Sequence, residues 1–263
     1  MTTTSMQYQI ITRNLARTKS LIENDAVVKR ETDYFNANIK KIKSIDDFMK
    51  NDRIYRYAMK AYGLEDMIYG KAFIKKLLTE GIENPKSMAN KMTNPLYKEF
   101  AAAFDFAGKG DKATEEASAT TEAVQRYVQL TLEKKEGESN EGVQLALYFK
   151  RKASSVKTTM GLLADKALLK FVQTTFNIPE GASKADLDMQ VRNLEKHINV
   201  KDLQDPKKVD KLIQRFTAMW DMKNTSLETV SPVLNLFQTP NDGVVGIGVD
   251  LMMSISKLRL GGM

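Results

Sequence analysis

The sequence predicts an all-α protein made of internally duplicated multi-helix modules with an amphipathic helix at each end, and three observations carry that expectation. Apolar residues recur at helical spacing almost throughout, while strand-like alternation bounded by turn residues is scarce. Helix starts are marked by a cap residue followed by proline, as in Asn84-Pro85, Asn94-Pro95 and Asp205-Pro206. Residues 34–64 also return, ungapped, as residues 148–178, a constant step of 148 − 34 = 114. Tyr34-Phe35 returns as Tyr148-Phe149, Ile42-Lys43-Ser44 as Val156-Lys157-Thr158, Phe48-Met49 as Leu162-Leu163 and Asn51 as Asp165. Ile54, Arg56, Tyr57, Tyr62 and Leu64 return as Leu168, Lys170, Phe171, Phe176 and Ile178. A duplicated helical module is the simplest reading. After it the step widens to 191 − 74 = 117, where Val191 and Leu194 answer Ile74 and Leu77.

Five segments follow from this pattern: an N-terminal helical segment 1–33, module 1 over 34–106, a connector and helix over 107–140, module 2 over 141–222, and a C-terminal tail with an amphipathic helix over 223–263. In the first segment Tyr8, Ile11, Leu15 and Ile22 form one apolar stripe, with Thr18 in the missing place. In module 1, Ser44-Ile-Asp-Asp47 has capping-box spacing and leads into a helix over 52–62 that Gly63 stops. Helices over 65–80, 85–92 and 95–106 follow. Residues 107–123 lose large apolar side chains and read as an exposed connector; a helix resumes over 124–134 and a turn over 135–140. Module 2 repeats the scheme, with helices at 184–198 and 206–222; Phe100-Ala-Ala-Ala-Phe104-Asp105 and Phe216-Thr-Ala-Met-Trp220-Asp221 close the modules alike. In the tail, Val244, Gly248, Leu251, Ile255 and Leu258 step by four and three. A short helix of either kind is marginal alone, so the two stripes are read as a paired assembly surface of Tyr8, Ile11, Leu15, Ile22, Val244, Leu251, Ile255 and Leu258.

Composition removes several chemistries. With no Cys and one His, the chain has no disulfide, thiolate nucleophile or Cys-ligated metal, and a His-rich metal site cannot be built. The net charge of +7 comes from 40 basic against 33 acidic residues, a scattered excess. The polar start carries no apolar run of signal-peptide type, and no stretch reaches the roughly 20 apolar residues of a spanning helix.

Candidate chemistry is thin. His197 falls late in a predicted helix, where its charge would oppose the helix dipole. Gly243-Val-Val-Gly246-Ile-Gly248 and Gly108-Lys-Gly110 lack the order of phosphate-binding loops, and Asp186, Asp188, Asp202 and Asp205 lack calcium-loop order. Tyr55, Tyr57 and Tyr62 lie among basic clusters such as Lys40-Lys41 and Lys75-Lys76, but Leu169, Phe171 and Phe176 replace them in the second copy. A base-stacking platform would not trade tyrosine for leucine, whereas a core would. The expectation is no enzyme, no catalytic residue, no cofactor, no metal and no nucleic-acid partner.

Several blocks in order carry a family resemblance: Ser44-Ile-Asp-Asp-Phe-Met, Tyr57-Ala-Met-Lys-Ala-Tyr-Gly-Leu, Lys71-Ala-Phe-Ile-Lys-Lys-Leu-Leu-Thr-Glu-Gly, Tyr97-Lys-Glu-Phe-Ala-Ala-Ala-Phe, Leu145-Ala-Leu-Tyr-Phe-Lys-Arg, Leu162-Leu-Ala-Asp165 and Ile213-Gln-Arg-Phe-Thr-Ala-Met-Trp-Asp221. Over roughly residues 30–222 the chain resembles a bacterial family of domains of unknown function encoded beside flagellar genes in alphaproteobacteria, some labelled flagellar basal-body rod proteins. The resemblance implies a non-enzymatic, flagellum-associated structural or accessory protein that binds flagellar proteins or itself. Its location would be the flagellum, by export without a cleaved signal, or the cytoplasm. The alternative is a cytoplasmic helical adaptor or export chaperone. No catalytic residues come with the family.

Overall fold

The computed structural model describes residues 2–179 and 186–224, and among these every regular element is helical. Packed helices belong to a compact unit, Met1–Met222; Lys223–Met263 forms a second unit, of which Lys223 and Asn224 alone are described.

The chain opens with α1 (Thr4–Arg13), α2 (Leu15–Glu23) and α3 (Ala26–Asn38). The next helices are α4 (Ile45–Lys50), α5 (Asp52–Ala61), α6 (Lys71–Glu80), α7 (Met88–Lys91), α8 (Pro95–Ala103) and α9 (Phe106–Lys109). The long α10 (Thr121–Ser139) leads to α11 (Glu141–Lys152), α12 (Thr159–Ala164), α13 (Lys166–Thr175), α14 (Leu187–Glu195) and α15 (Pro206–Asn224).

Many boundaries repeat at the step read from the sequence, since 159 − 45 = 114 for α12 against α4 and 166 − 52 = 114 for α13 against α5. The caps repeat too. Ser44 Oγ accepts from Asp47 N–H and Thr158 Oγ1 from Gly161 N–H, both at 3.1 Å. Asn51 accepts from Ile54 N–H as Asp165 accepts from Leu168 N–H, each satisfying a donor at a helix start. At the ends of α5 and α13 the backbone turns left-handed, through Gly63 (φ 71°) in one and Asn177 (φ 52°) in the other, the two residue types that tolerate this region best.

Two apolar cores result. The first runs from Ile22 to Leu132; the second takes residues from Val143 to Phe216, together with Tyr8 and Ile11 from the far end of the chain. Each is built on a ring stack. Phe35, Tyr57 and Tyr127 stack at 4.2 and 3.9 Å, and Phe149, Phe171 and Phe216 at 3.7 and 4.2 Å. Here the correspondence breaks. The similar endings of the modules lead to different placements: Phe100 of α8 packs on Phe48, Tyr62 and Phe104, whereas Phe216 of α15 takes the place that Tyr127 of α10 holds in the first core.

Several expected boundaries shift for local reasons. The helix expected over 65–80 is a 3₁₀ turn, Glu65–Met67, then α6, with the break at Gly70. Of 85–92 only Met88–Lys91 is helical, because Asn84 Oδ1 accepts from Lys86 N–H at 2.8 Å and Asn84 O from Ser87 N–H at 2.9 Å, a turn that Asn90 pins with two amide donations. The helix expected over 95–106 stops at Ala103, and Asp105 caps α9 by accepting from Gly108 N–H at 3.0 Å.

The expected exposed connector is wrong for its inner part. Ala113, Thr114, Ala119 and Ala123 are fully buried, Thr114 Oγ1 donates to Ile42 O at 2.8 Å, and Tyr62 donates to Ser118 O at 2.8 Å. Small side chains let this segment lie close against the first core, so composition alone misread it. Nor is 135–140 a turn: α10 runs through Gly137 to Ser139, and Asn140 both ends it and caps α11 by accepting from Gly142 and Val143 N–H. The helix expected over 184–198 is shorter, Leu187–Glu195; Ser183 lies outside the described residues.

Candidate functional site

The N-terminal residues expected to form an assembly surface, Tyr8, Ile11, Leu15 and Ile22, lie elsewhere than that expectation put them. Tyr8 and Ile11 are buried in the second core, Ile22 in the first, and Leu15 packs against both. Asp221 of α15 holds the start of α1 by accepting from Thr4 N–H at 2.9 Å and Ser5 N–H at 3.4 Å, and Gln7 donates to Glu136 at 3.0 Å. The N-terminal half of the stripe is thus covered by the chain's own helices, because an apolar face finds the nearest apolar surface. Val244, Leu251, Ile255 and Leu258 lie outside the described residues, as does Gly243-Val-Val-Gly246-Ile-Gly248.

Other candidates resolve into structure. His197 is exposed, two residues beyond α14, with its ring 5.5 Å from Phe176. Tyr55, Tyr57 and Tyr62 are core side chains, at most 4% exposed, and burial pushes the Tyr55 and Tyr62 hydroxyls up to about 12. Asp205 caps α15 by accepting from Lys207 N–H at 2.9 Å, and Asp202 pairs with Lys208 at 2.6 Å. Among the described residues no group of three or more His, Asp or Glu could hold a metal ion.

Two features remain as possible places of action. One is a cleft of about 740 Å³ running along α10 between elements of both cores. Charged groups surround it, and Glu65, Glu133 and Asp165 among them are engaged. Glu133, with 4% of its side chain exposed, receives Arg151 Nε at 2.8 Å and Nη2 at 2.9 Å, plus Gln129 Nε2 at 2.9 Å. Beside the cleft, Glu99 receives Lys152 Nζ at 2.6 Å and Arg126 Nη1 at 2.9 Å. Burial pushes the Glu99 carboxyl up, but Lys152 and Arg126 outweigh it and leave it below the ordinary value. Burial likewise works against the Arg151 cation, and Glu133 outweighs it. Tyr148, raised by burial and by Asp165, donates to that carboxylate at 2.6 Å. A base or nucleophile needs a free lone pair aimed at open space, and these carboxylates spend theirs on cations and donors. Their arrangement joins α8, α10 and α11.

The other feature is an open groove of about 430 Å³ between α12, α13 and α14, with Leu163, Leu169, Ile178, Met189 and Leu194 as its apolar floor and walls. Gln173, Gln190 and Asn193 add amides, and Arg192 and Lys196 add two cations. Its described lining contains no carboxylate, and neither cation has an ion-pair partner among the described residues. Met189 is 60% exposed, and Met160 of α12 and Leu187 of α14 are also exposed. Sequence reasoning missed this groove, which depends on how α12, α13 and α14 come together.

Fold and site define an all-helical protein that carries, among its cavities, an apolar groove with a basic rim. Residues 61–209 match the family described as protein of unknown function, DUF1217, and the chain belongs to that bacterial family. It is similar to the crystal structure of protein AGR_C_984 from Agrobacterium tumefaciens, with 46% sequence identity and a TM-score of 0.78 over 83% of this chain and 93% of that one. No curated protein matches it. Among the described residues no helix is long and apolar enough to cross a membrane.

Proposed function

We propose that the chain is a non-enzymatic, flagellum-associated accessory or structural protein, built from two copies of one helical unit and acting through protein–protein contacts. The observation that carries binding over catalysis is the contrast between two of its cavities. The larger has Glu65 and Glu133 already paired with cations, and the smaller is an apolar groove bordered by cations without ion-pair partners among the described residues. The flagellar part rests on the sequence blocks that resemble a family encoded beside flagellar genes. A tagged chain should co-purify with flagellar basal bodies, and its deletion should impair motility. Recovery in the cytosol alone, with normal motility in the deletion strain, would refute the flagellar reading. The groove also favours a second reading, a helical adaptor or export chaperone, in which the chain stays in the cytosol and its loss removes one flagellar protein from the exported set.

A further inference from the structure

A third cavity, of about 510 Å³, lies among α1, α2, α10 and α11. Leu15 and Leu147 give it an apolar wall, and four cations, Lys19, Arg126, Lys150 and Arg151, stand around it against one carboxylate, Glu122. All of its lining falls within residues 12–151, which are described throughout.

Two of the cations are held in place. Arg151 and Arg126 have 22% and 34% of their side chains exposed, and each is fixed by a carboxylate that does not line the cavity: Nε and Nη2 of Arg151 donate to Glu133, and Nη1 of Arg126 donates to Glu99. A guanidinium carries five N–H donors. Nη1 of Arg151, with Nε and Nη2 of Arg126, therefore keeps donors that meet no partner among the described residues. Lys19 is half-buried and makes no ion pair among those residues, and the pair of Lys150 with Asp210, at 3.2 Å, is exposed on both sides and weak. The step of 114 adds an internal comparison. Tyr34-Phe35 and Tyr148-Phe149 agree, but Lys150-Arg151-Lys152 stands where the first stretch has Asn36-Ala37-Asn38. Since α3 forms with neutral residues at these positions, the cations of α11 answer to something other than their own helix. Lys152 and one side of Arg151 answer to Glu99 and Glu133, which leaves Lys150 and the other side of Arg151 facing a second demand.

We propose that this cavity binds a small organic phosphate, with the phosphate oxygens on Arg126, Arg151, Lys19 and Lys150 and the organic body against Leu15 and Leu147. Guanidinium forks match pairs of phosphate oxygens, and a fork already fixed by a carboxylate loses little freedom on binding. Four cations suit the two or more charges of a phosphate better than the single charge of a carboxylate. The volume falls within the range of small-molecule sites, about 300–1,000 Å³. Such binding needs no flagellar partner, and it holds whether or not the chain joins the flagellum.

Isothermal titration calorimetry of the full chain in EDTA, with ATP as the probe beside inorganic pyrophosphate, citrate and a single-stranded oligonucleotide, tests this. ATP should bind saturably, and more tightly than either pyrophosphate or citrate. Lys19→Glu should weaken it about tenfold, and Arg126→Lys, which keeps the charge but loses the fork, should weaken it as well. Glu122→Gln removes the one carboxylate of the lining and should tighten ATP about threefold. Lys19 and Glu122 make no ion pair among the described residues, so their two variants should unfold at the wild-type temperature and remain a fair comparison even where Arg126→Lys loses stability. Absence of saturable ATP binding, or equal binding by every variant, overturns the proposal. Citrate or pyrophosphate binding as tightly as ATP also overturns it, because the phosphate or the apolar wall would then contribute nothing. An oligonucleotide that binds more tightly than ATP overturns it too, assigning the cations to a nucleic-acid backbone.

Discussion

Phe171→Ala should remove the centre of the second core, and the structure sets the size of the loss. The ring is 1% exposed and stacked between Phe149 at 3.7 Å and Phe216 at 4.2 Å, nearly parallel to both. A buried Phe→Ala change typically costs about 3–5 kcal/mol, and two lost ring pairs, each worth about 0.5–1.5 kcal/mol, put this site in the upper part of that range, about 4 kcal/mol. For a unit of this size the transition temperature should fall by about 8–16 °C. Trp220, the one tryptophan, lies 5.6 Å from the Phe216 ring, so its fluorescence in a urea titration reports on this core directly. A loss below about 1 kcal/mol would mean that Phe149 and Phe216 close on each other without cost, and the ring stack would not be the keystone described above.

Tyr8→Phe should be neutral or stabilising by up to about 1 kcal/mol in the same titration, because the Tyr8 hydroxyl is buried without a hydrogen-bond partner among the described residues. Gly142→Ala should destabilise by about 1–3 kcal/mol, since an added Cβ would meet the Trp220 indole at 2.5 Å; a neutral result would show that the ring moves freely. Glu99→Gln should flatten the acid limb of stability against pH. The folded carboxyl titrates below its ordinary value of 4.5, so its contribution is present above that pH and is lost as pH falls through the lower folded value. Acid titrations of both proteins followed by circular dichroism check this; the same acid limb in the variant would remove Glu99 from the account. Lys152→Met should cost about 1–3 kcal/mol at neutral pH, because it strips one of two cations from a half-buried carboxylate; restored stability in Lys152→Met/Glu99→Leu would trace that cost to the stranded charge.

Local rules were legible in the residues. Ser44, Asn94 and Asp205 were readable as caps because the donors they satisfy lie two or three positions away. The starts of α12 and α13 fall at the step of 114 from those of α4 and α5. What stayed hidden depends on partners far along the chain. Nothing local distinguishes Phe100 from Phe216, yet one packs on Phe48 and Tyr62 and the other on Phe171, because α10 already covers Tyr57. The stripe of Tyr8, Ile11, Leu15 and Ile22 was legible as amphipathic, but its period carries no information on what it meets. Ala113 and Ala119 look like connector residues because burial of a small side chain leaves no hydropathic signature. The groove was not legible in the sequence, because it depends on how α12, α13 and α14 come together.

The hydrogen bond from Thr4 to Asp221 spans 217 residues, and that span sets an order of events on the ribosome. At about 5–20 residues per second, α1 emerges roughly 10–40 s before the residue that caps it and the Phe216 that completes its core. Until then Tyr8 and Ile11 have no finished surface to cover, so a nascent chain presents an apolar stripe that the mature protein conceals. Ribosome-associated chaperones would meet that stripe, and a chain arrested before residue 206, where α15 begins, should be captured by them far longer than the full-length product.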